Sequence, residues 1–261
     1  LIPIYVMKYK NEKKDPLTRT LTREKDKISK NVPLDLGIVL ENTSQEWVSN
    51  LPSDASRLEQ LKRLRARALI CVLTNSGLRV GDIVLLTKSW RYHDIDSSGS
   101  VEIVTAMSGI KTFCHFSEST LRYLDEYLEA RDDISPWLFI QHGKYGTNTA
   151  TNPSYYSREN SNSKGLRKRY GAPISTLTVS NIVRSIVDLA GYSKDDNITP
   201  QSIRHWLAKY LINNNVPLEK IQNALGHSSL DSLKEMYTPP SSQEQAIKCI
   251  ENRNSKSKNG L

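Results

Sequence analysis

The chain has 261 residues, of which 38% are hydrophobic and 25% charged, an ordinary globular balance that suits one large domain or two small ones. No apolar run approaches the roughly 20 residues of a membrane span, and three scattered cysteines exclude a disulfide framework and structural zinc. The net charge of +8 predicts an anionic partner, nucleic acid before membrane. A basic surface that binds nothing is the open alternative.

Residues 1–30 carry nine Lys or Arg against four acids, with little apolar periodicity. This composition predicts a basic N-terminal arm or linker, with a solvated tail as the alternative. The first residue is leucine, so we expect the chain to be part of a longer protein. We divide the remainder into a main domain, residues 31–240, and a C-terminal tail, residues 241–261, predicted as a short helix followed by disorder.

The sequence at the start of the main domain has the periodicity of α-helices. Residues 31–47 are predicted as an entry segment and a first helix, and either Asp54 or Ser56 is predicted to start a longer helix that runs to residue 73. Several basic side chains are predicted to lie mostly outside its apolar stripe: Arg57, Lys62, Arg63 and Arg67. Asn75-Ser76-Gly77 then forms a turn, and Arg79 and Asp82 follow it.

The period of the pattern changes over residues 90–116. Alternating apolar residues, with turns at 97–100 and 107–109, predict a three-stranded antiparallel meander. Lys111 follows the second turn directly. From the residue alone, an exposed turn lysine is the default interpretation.

A second helical stretch at residues 117–129 and a buried apolar run at 137–140 lead into a long polar segment, residues 141–173. This loop holds six Lys or Arg against one acid, interleaved with tyrosines. Such a composition suits contact with a phosphate backbone, and plain disorder explains it equally well. Its candidate DNA contacts are Lys144, Arg167, Lys168 and Arg169.

Residues 175–190 are predicted as a further helix, and residues 199–237 as three more. Thr199 and Pro200 start the first of these three, and Gly226 ends the second. In this stretch come Arg204, His227 and Tyr237. A fixed cation, an imidazole and a phenol are the groups that a metal-free phosphoryl transfer requires.

Three sequence motifs occur in order: LTNSGLRVGDIVLL, TPQSIRH and LGHSS. Together they resemble the signature of the tyrosine recombinase (phage integrase) family over residues 69–237. The resemblance implies the mainly α-helical catalytic-domain fold of that family, with a small three-stranded antiparallel sheet. It also implies a catalytic set: Arg79, Lys111, Arg204, His227 and Tyr237, supported by Asp82 and Gln201.

The activity implied by the resemblance is site-specific recombination of double-stranded DNA, as in the integrases of mobile genetic elements. Tyr237 would form a 3′-phosphotyrosyl link, Lys111 would protonate the leaving oxygen, and a homo-tetramer would exchange strands without metal, cofactor or membrane. An intracellular location follows, at the nucleoid in the cytoplasm or in the nucleus. The alternatives are a type IB topoisomerase and an inactive DNA-binding protein on the same fold.

Two positions depart from the family pattern. Gln201 stands where the family usually has His or Lys, and an amide can donate a hydrogen bond but cannot transfer a proton. Tyr237 follows His227 by ten residues where nine is commoner, which rotates a helical residue by about 100°. The family's N-terminal core-binding domain needs more residues than precede residue 31, so we expect it to be missing from this chain.

Overall fold

The structure is a computed structural model that describes residues 32–105, 109, 111–142 and 172–226. Within these residues the helices and strands follow one another in this order: α1 Leu36–Ser49, α2 Arg57–Ser76, α3 Val80–Ile83, β1 Ser100–Val104, β2 Lys111–His115, α4 Glu118–Glu129, α5 Thr176–Leu189, α6 Pro200–Asn213 and α7 Leu218–Leu225. The mainly helical prediction is confirmed. The arm, most of the basic loop and everything from residue 227 onward lie outside the described residues.

Helix α2 is the centre of the fold. Ser56 caps it by accepting a hydrogen bond from the Glu59 N–H at 3.3 Å, and Gly77 ends it in the left-handed conformation at φ 57°. Its second half is buried on every side, from Arg65 to Thr74. Such a helix needs partners all round, and α1, α4, α5 and α6 all pack against it.

The sheet has two strands among the described residues, and the predicted third strand is wrong. Strands β1 and β2 pair antiparallel, from Ser100 opposite His115 to Val104 opposite Lys111. Trp90–Asp94, expected to be extended, forms a wide helical turn instead. This turn buries Trp90 edge-on against Phe116, 5.0 Å between ring centroids, and brings Arg91 to Asp125 at 2.6 Å. Successive residues of a strand point to opposite faces and cannot both turn inward in this way.

The hairpin presents one buried and one exposed face. Val101, Ile103, Thr112 and Cys114 are buried, and α7 and α2 pack against β2. The outward face carries Glu102, Val104, Lys111, Phe113 and His115. The strand alternation therefore decides which of these side chains can reach the interior.

The helix starts follow local sequence signals. Ser117 and Ser175 accept hydrogen bonds from N–H groups three residues later, at 3.3 and 3.1 Å. Thr199 and Ser202 form a reciprocal capping box that includes Pro200 in the first turn of α6. Gly226 closes α7 at φ 60°. The predictions for α4, α5, α6 and α7 are confirmed.

A half-buried carboxylate links three helices near the Gly77 turn. Glu41 on α1 accepts hydrogen bonds from the Thr74 hydroxyl and from the Asn75 amide, the latter at 3.1 Å. The side-chain amide oxygen of Asn75, Oδ1, in turn accepts the Ser117 N–H at 3.0 Å, at the start of α4. Burial raises the pKa of Glu41 above its ordinary value, and the two hydrogen bonds only partly oppose that shift.

Glu41→Gln should remove a pH dependence of stability. Because the folded pKa is raised, the contribution of Glu41 to the free energy of unfolding is fully present below the unfolded pKa of about 4.3 and is lost as pH rises through the folded pKa. A neutral amide can still accept from Thr74, so the variant should match or exceed the wild type at pH 7. Urea unfolding between pH 4 and pH 8 measures this. Glu46→Gln, exposed on the same helix, is the control, and an unchanged pH profile in Glu41→Gln would contradict the prediction.

Candidate active site

Arg204 joins two loops that are far apart in the chain. Its side chain is 3% exposed, on the inner face of α6. Its Nη1 donates to the Gly77 carbonyl at 2.5 Å, and its Nη2 donates to the Leu225 carbonyl. A buried guanidinium requires such partners. One side chain thus connects the turn before Arg79 with the helix end before residue 227.

Glycines allow the close approach at both loops. A Cβ at Gly77 would lie 2.5 Å from Leu225 Cδ2 and 3.0 Å from Leu207 Cδ2. A Cβ at Gly226 would lie 2.5 Å from Thr112 Oγ1 on β2. Both glycines also have positive φ, which disfavours any side chain. The site is therefore closely packed where α7 meets α2 and β2.

Gly226→Ala should destabilise the protein more than Gly191→Ala. Both glycines have positive φ, 60° and 82°, but a Cβ at Gly191 would meet no atom within 4 Å. The collision with Thr112 should cost roughly 1–3 kcal/mol beyond the shared backbone strain, the usual range for overpacking. Chemical denaturation of both variants measures the difference. Adding Thr112→Ala should restore part of the loss, and equal losses for the two alanine variants would contradict this account.

Arg79 is the residue that directly precedes α3. The residue is extended, at φ −69° and ψ 147°, and its carbonyl accepts the Asp82 and Ile83 N–H groups at 2.9 and 3.1 Å to start α3. The side chain is half-buried. Within the part of the chain that the structure describes, the guanidinium makes neither a hydrogen bond nor an ion pair. A half-buried cation of this kind is suited to an anionic ligand.

Asp82 and Arg204 lie close to the inner face of β2. Burial raises the pKa of the Cys114 thiol to about 12, and the charges of Arg204 and Asp82 then act on it in opposite directions. Asp82 itself is buried, 4% exposed. The structure therefore brings Arg204, Asp82 and the buried face of the hairpin together in one region.

Lys111 lies on the other face of the same strand. Its Nζ is 2.7 Å from Glu102 Oε1, and the two side chains are 70% and 48% exposed. Cys114, three residues later, faces inward. The described residues thus do not bring Lys111 into the group around Arg204, and its catalytic role stays a prediction.

Gln201 has a neighbour that the sequence analysis did not identify. Its side chain is exposed in the first turn of α6, and its Nε2 lies 3.2 Å from Nε2 of the buried His205. In the sequence, the four-residue spacing between Gln201 and His205 predicts that their side chains are neighbours on one helix face. The sequence motif instead identifies Arg204, because Arg204 is the residue that matches the family pattern.

Several predicted site residues lie outside the described residues: Lys144, Arg167, Lys168, Arg169, His227 and Tyr237. Their roles stay predictions. Among residues 32–105, 109, 111–142 and 172–226, no group of three or more His, Cys, Asp or Glu is arranged to hold a metal ion. In the same ranges, no helix is both long and apolar enough to cross a bilayer.

Comparison with known proteins identifies the family to which this chain belongs. The model of the phage integrase family matches residues 41–244, and the chain belongs to that family. The tyrosine recombinase XerA of Thermococcus onnurineus (strain NA1) is 28% identical over 198 residues, covering 72% of this chain and 58% of the relative. The tyrosine recombinase XerC of Pelobacter propionicus (strain DSM 2379 / NBRC 103807 / OttBd1) is 30% identical over 176 residues, covering 67% and 47%. The chain spans about half the length of such curated relatives.

Solved structures agree on the fold. A crystal structure of XerA recombinase superposes with a TM-score of 0.53 at 19% identity, covering 83% of this chain and 63% of that one. The XerH site-specific recombinase bound to its difH substrate, a pre-cleavage complex, gives a TM-score of 0.54 at 18% identity, covering 80% and 51%. The fold is that of the tyrosine recombinase catalytic domain, with the small sheet reduced to two strands among the described residues.

Proposed function

We propose that this chain is the catalytic portion of a site-specific DNA recombinase that cleaves and rejoins duplex DNA through a 3′-phosphotyrosyl intermediate. The observation that carries this proposal is the bridge from Arg204 to the Gly77 and Leu225 carbonyls. That bridge ties together the two loops that lead to Arg79 and to residue 227. Membership of the phage integrase family supports the same reaction class.

The proposed roles follow from the chemistry of each side chain. Arg79 and Arg204 hold the non-bridging phosphate oxygens, for which a planar guanidinium is well suited. Gln201 and His227 add hydrogen bonds to the phosphate. For Asp82 we propose that it supports Arg79 once the phosphate is bound, since the two side chains make no ion pair with each other within the described residues. Such fixed donors stabilise the charge that develops in the transition state.

The reaction conserves the number of phosphodiester bonds. The Tyr237 hydroxyl loses its proton to solvent, and its oxygen forms a bond to phosphorus as the bond from phosphorus to the 5′ oxygen breaks, while Lys111 gives a proton to the departing oxygen. A 5′-hydroxyl of a second DNA end then attacks the phosphotyrosine and releases Tyr237. Because the bond energy is retained in the intermediate, the proposed step needs neither nucleotide nor metal.

We propose a division of the chain into a basic arm or linker at residues 1–30, the catalytic domain at 31–240 and a tail at 241–261. Double-stranded DNA is the proposed partner, inside the cell, and the net charge of +8 supports it. For the tail, the spacing of Ala246, Ile247 and Ile250 predicts an apolar face on a helix too short to be stable alone. We propose that it docks on a neighbouring protomer in a DNA-bound tetramer.

Replacing Arg167, Lys168 and Arg169 together with alanine should flatten the salt dependence of DNA affinity. If these side chains bind phosphates, the slope of log affinity against log salt should fall by about 0.9 for each phosphate that is no longer neutralised. Fluorescence anisotropy with a duplex probe at several salt concentrations measures the slope. Replacing Arg253, Lys256 and Lys258 in the tail changes the net charge equally and is the matched control. Equal slopes in the two triple variants would mean that the loop is only solvated.

Covalent trapping tests the function itself. A library of nicked duplexes with randomised cores releases a short 5′-hydroxyl strand after cleavage, so the protein stays attached to the DNA and the adducts can be sequenced. We expect a denaturant-stable adduct and a recovered target site. If none forms, an inactive DNA-binding protein on the same fold is favoured. If adducts form but two sites never exchange strands, while supercoiled plasmid is relaxed, the topoisomerase alternative is favoured.

A further inference from the structure

Gln201 and His205 form a side-chain pair, and Gln201 stands at a position where the family usually has a proton-transferring side chain. Gln201 lies three residues before Arg204, so the two side chains leave neighbouring faces of the same helical turn. An exposed glutamine is ordinarily free to rotate about its three side-chain torsions, and free rotation would make it a poor ligand for a fixed phosphate. In this structure its amide nitrogen lies 3.2 Å from His205 Nε2.

The atoms involved define the direction of the hydrogen bond. The amide nitrogen of glutamine can only donate, so Nε2 of His205 accepts and the ring carries its proton on Nδ1. His205 is 6% exposed and embedded in α6, which makes it a rigid anchor compared with the exposed glutamine. With one N–H of Gln201 held by the imidazole, the second N–H remains for a ligand at the solvent side.

We propose that His205 is a positioning residue, which fixes the Gln201 amide beside Arg204 so that its second N–H donates to a phosphate oxygen of the DNA. This inference rests on the proposed function, since it assigns a partner to a group in that site. The pair supplies a fixed hydrogen bond and transfers no proton. His205 does not itself contact the DNA.

A double-mutant cycle tests the coupling. In His205→Asn the side-chain amide reaches only the position of Nδ1, whereas in His205→Gln it reaches that of Nε2. We expect His205→Asn and Gln201→Ala each to slow single-turnover cleavage of the trapped substrate by about 10- to 100-fold, the effect of one hydrogen bond to a charged group. His205→Gln should stay within about threefold of the wild type. The double variant His205→Asn/Gln201→Ala should be no slower than Gln201→Ala alone.

Three outcomes would overturn the proposal. If the two single losses multiply in the double variant, the residues act independently. If His205→Gln and His205→Asn show equal decreases in cleavage rate and equal decreases in unfolding midpoint, His205 contributes only packing. Equal rates for Gln201→Ala and the wild type would remove the amide from the site. Failure of the wild type to form any adduct is a different result, because it contradicts the proposed function and not the pairing.

A spectroscopic measurement keeps the test independent of folding in the His205 variants. Long-range ¹⁵N–¹H spectra of the wild type should show His205 as the tautomer with its proton on Nδ1. Gln201→Ala changes only an exposed side chain, and it should shift the Nε2 resonance of His205 by removing the donated hydrogen bond. An unchanged Nε2 resonance would mean that the hydrogen bond does not form in solution.

Discussion

Tyr237→Phe should abolish the covalent protein–DNA adduct and leave DNA affinity within about twofold, the change expected from one hydroxyl in a large interface held by phosphate contacts. Phenylalanine keeps the ring and its packing but has no oxygen to bond to phosphorus. Tyr237 is the only tyrosine after Gly226 in the sequence, so no neighbour on that side can take its place. The trapping gel with nicked duplexes measures the adduct, and fluorescence anisotropy measures the affinity.

Tyr210→Phe is the matched control for that experiment. Tyr210 lies on α6, is 41% exposed, and stacks on Trp206 with 5.3 Å between ring centroids. The loss of its hydroxyl should change neither adduct formation nor affinity. An adduct that persists in Tyr237→Phe would show that the nucleophile is another residue, and peptide mapping of the adduct would identify it.

Arg204→Lys should lose both catalysis and stability. Lysine retains the charge but not the planar fork that holds two oxygens, so cleavage should fall by about 10²-fold or more. The guanidinium also donates to two backbone carbonyls 127 and 21 residues away in sequence. One ammonium cannot reproduce both hydrogen bonds, and each buried carbonyl left without a donor costs about 1–3 kcal/mol. Single-turnover cleavage and urea unfolding measure the two effects.

Arg79→Lys separates these effects. Its guanidinium is half-buried and makes neither a hydrogen bond nor an ion pair among the described residues, so the variant should lose cleavage by a similar factor while its unfolding midpoint barely changes. Near-normal cleavage in both lysine variants would remove the two arginines from the active site. A loss of stability in Arg79→Lys as large as that in Arg204→Lys would contradict the structural role assigned to Arg204 alone.

Several helix boundaries could be predicted because they depend on groups only a few residues apart. The hydroxyls of Ser56, Ser117 and Ser175 accept hydrogen bonds from N–H groups three residues later. Gly226 adopts the left-handed conformation that ends α7, which glycine does without steric strain. These are short-range interactions that a sequence displays directly. The order of the arginines and of the LGH motif is likewise visible in one dimension.

The errors came from interactions between distant segments. The sequence of residues 90–94 is typical of a strand, yet these residues form a helical turn. The turn lets Trp90 pack against Phe116 while Arg91 bonds to Asp125. Arg67 was predicted to lie outside the buried stripe of α2, but it is 3% exposed, pairs with Glu126 and covers the Tyr123 ring at 4.1 Å. A cation can be buried when a carboxylate and an aromatic face meet it there, and that depends on where α4 packs.

The amino-acid sequence by itself determined the family and the helical periodicity, since each of these is a property of residue type and local spacing; the residues that would bind or attack a phosphate stay predictions. Only the tertiary structure decided that Arg204 joins the Gly77 and Leu225 loops, that Lys111 lies on the outer face of the hairpin, and that His205 holds Gln201. The physical reason is that a hydrogen bond depends on the distance and direction between two atoms. For groups as far apart in the chain as Gly77 and Arg204, that geometry exists only after α2, α6, α7 and β2 have packed together.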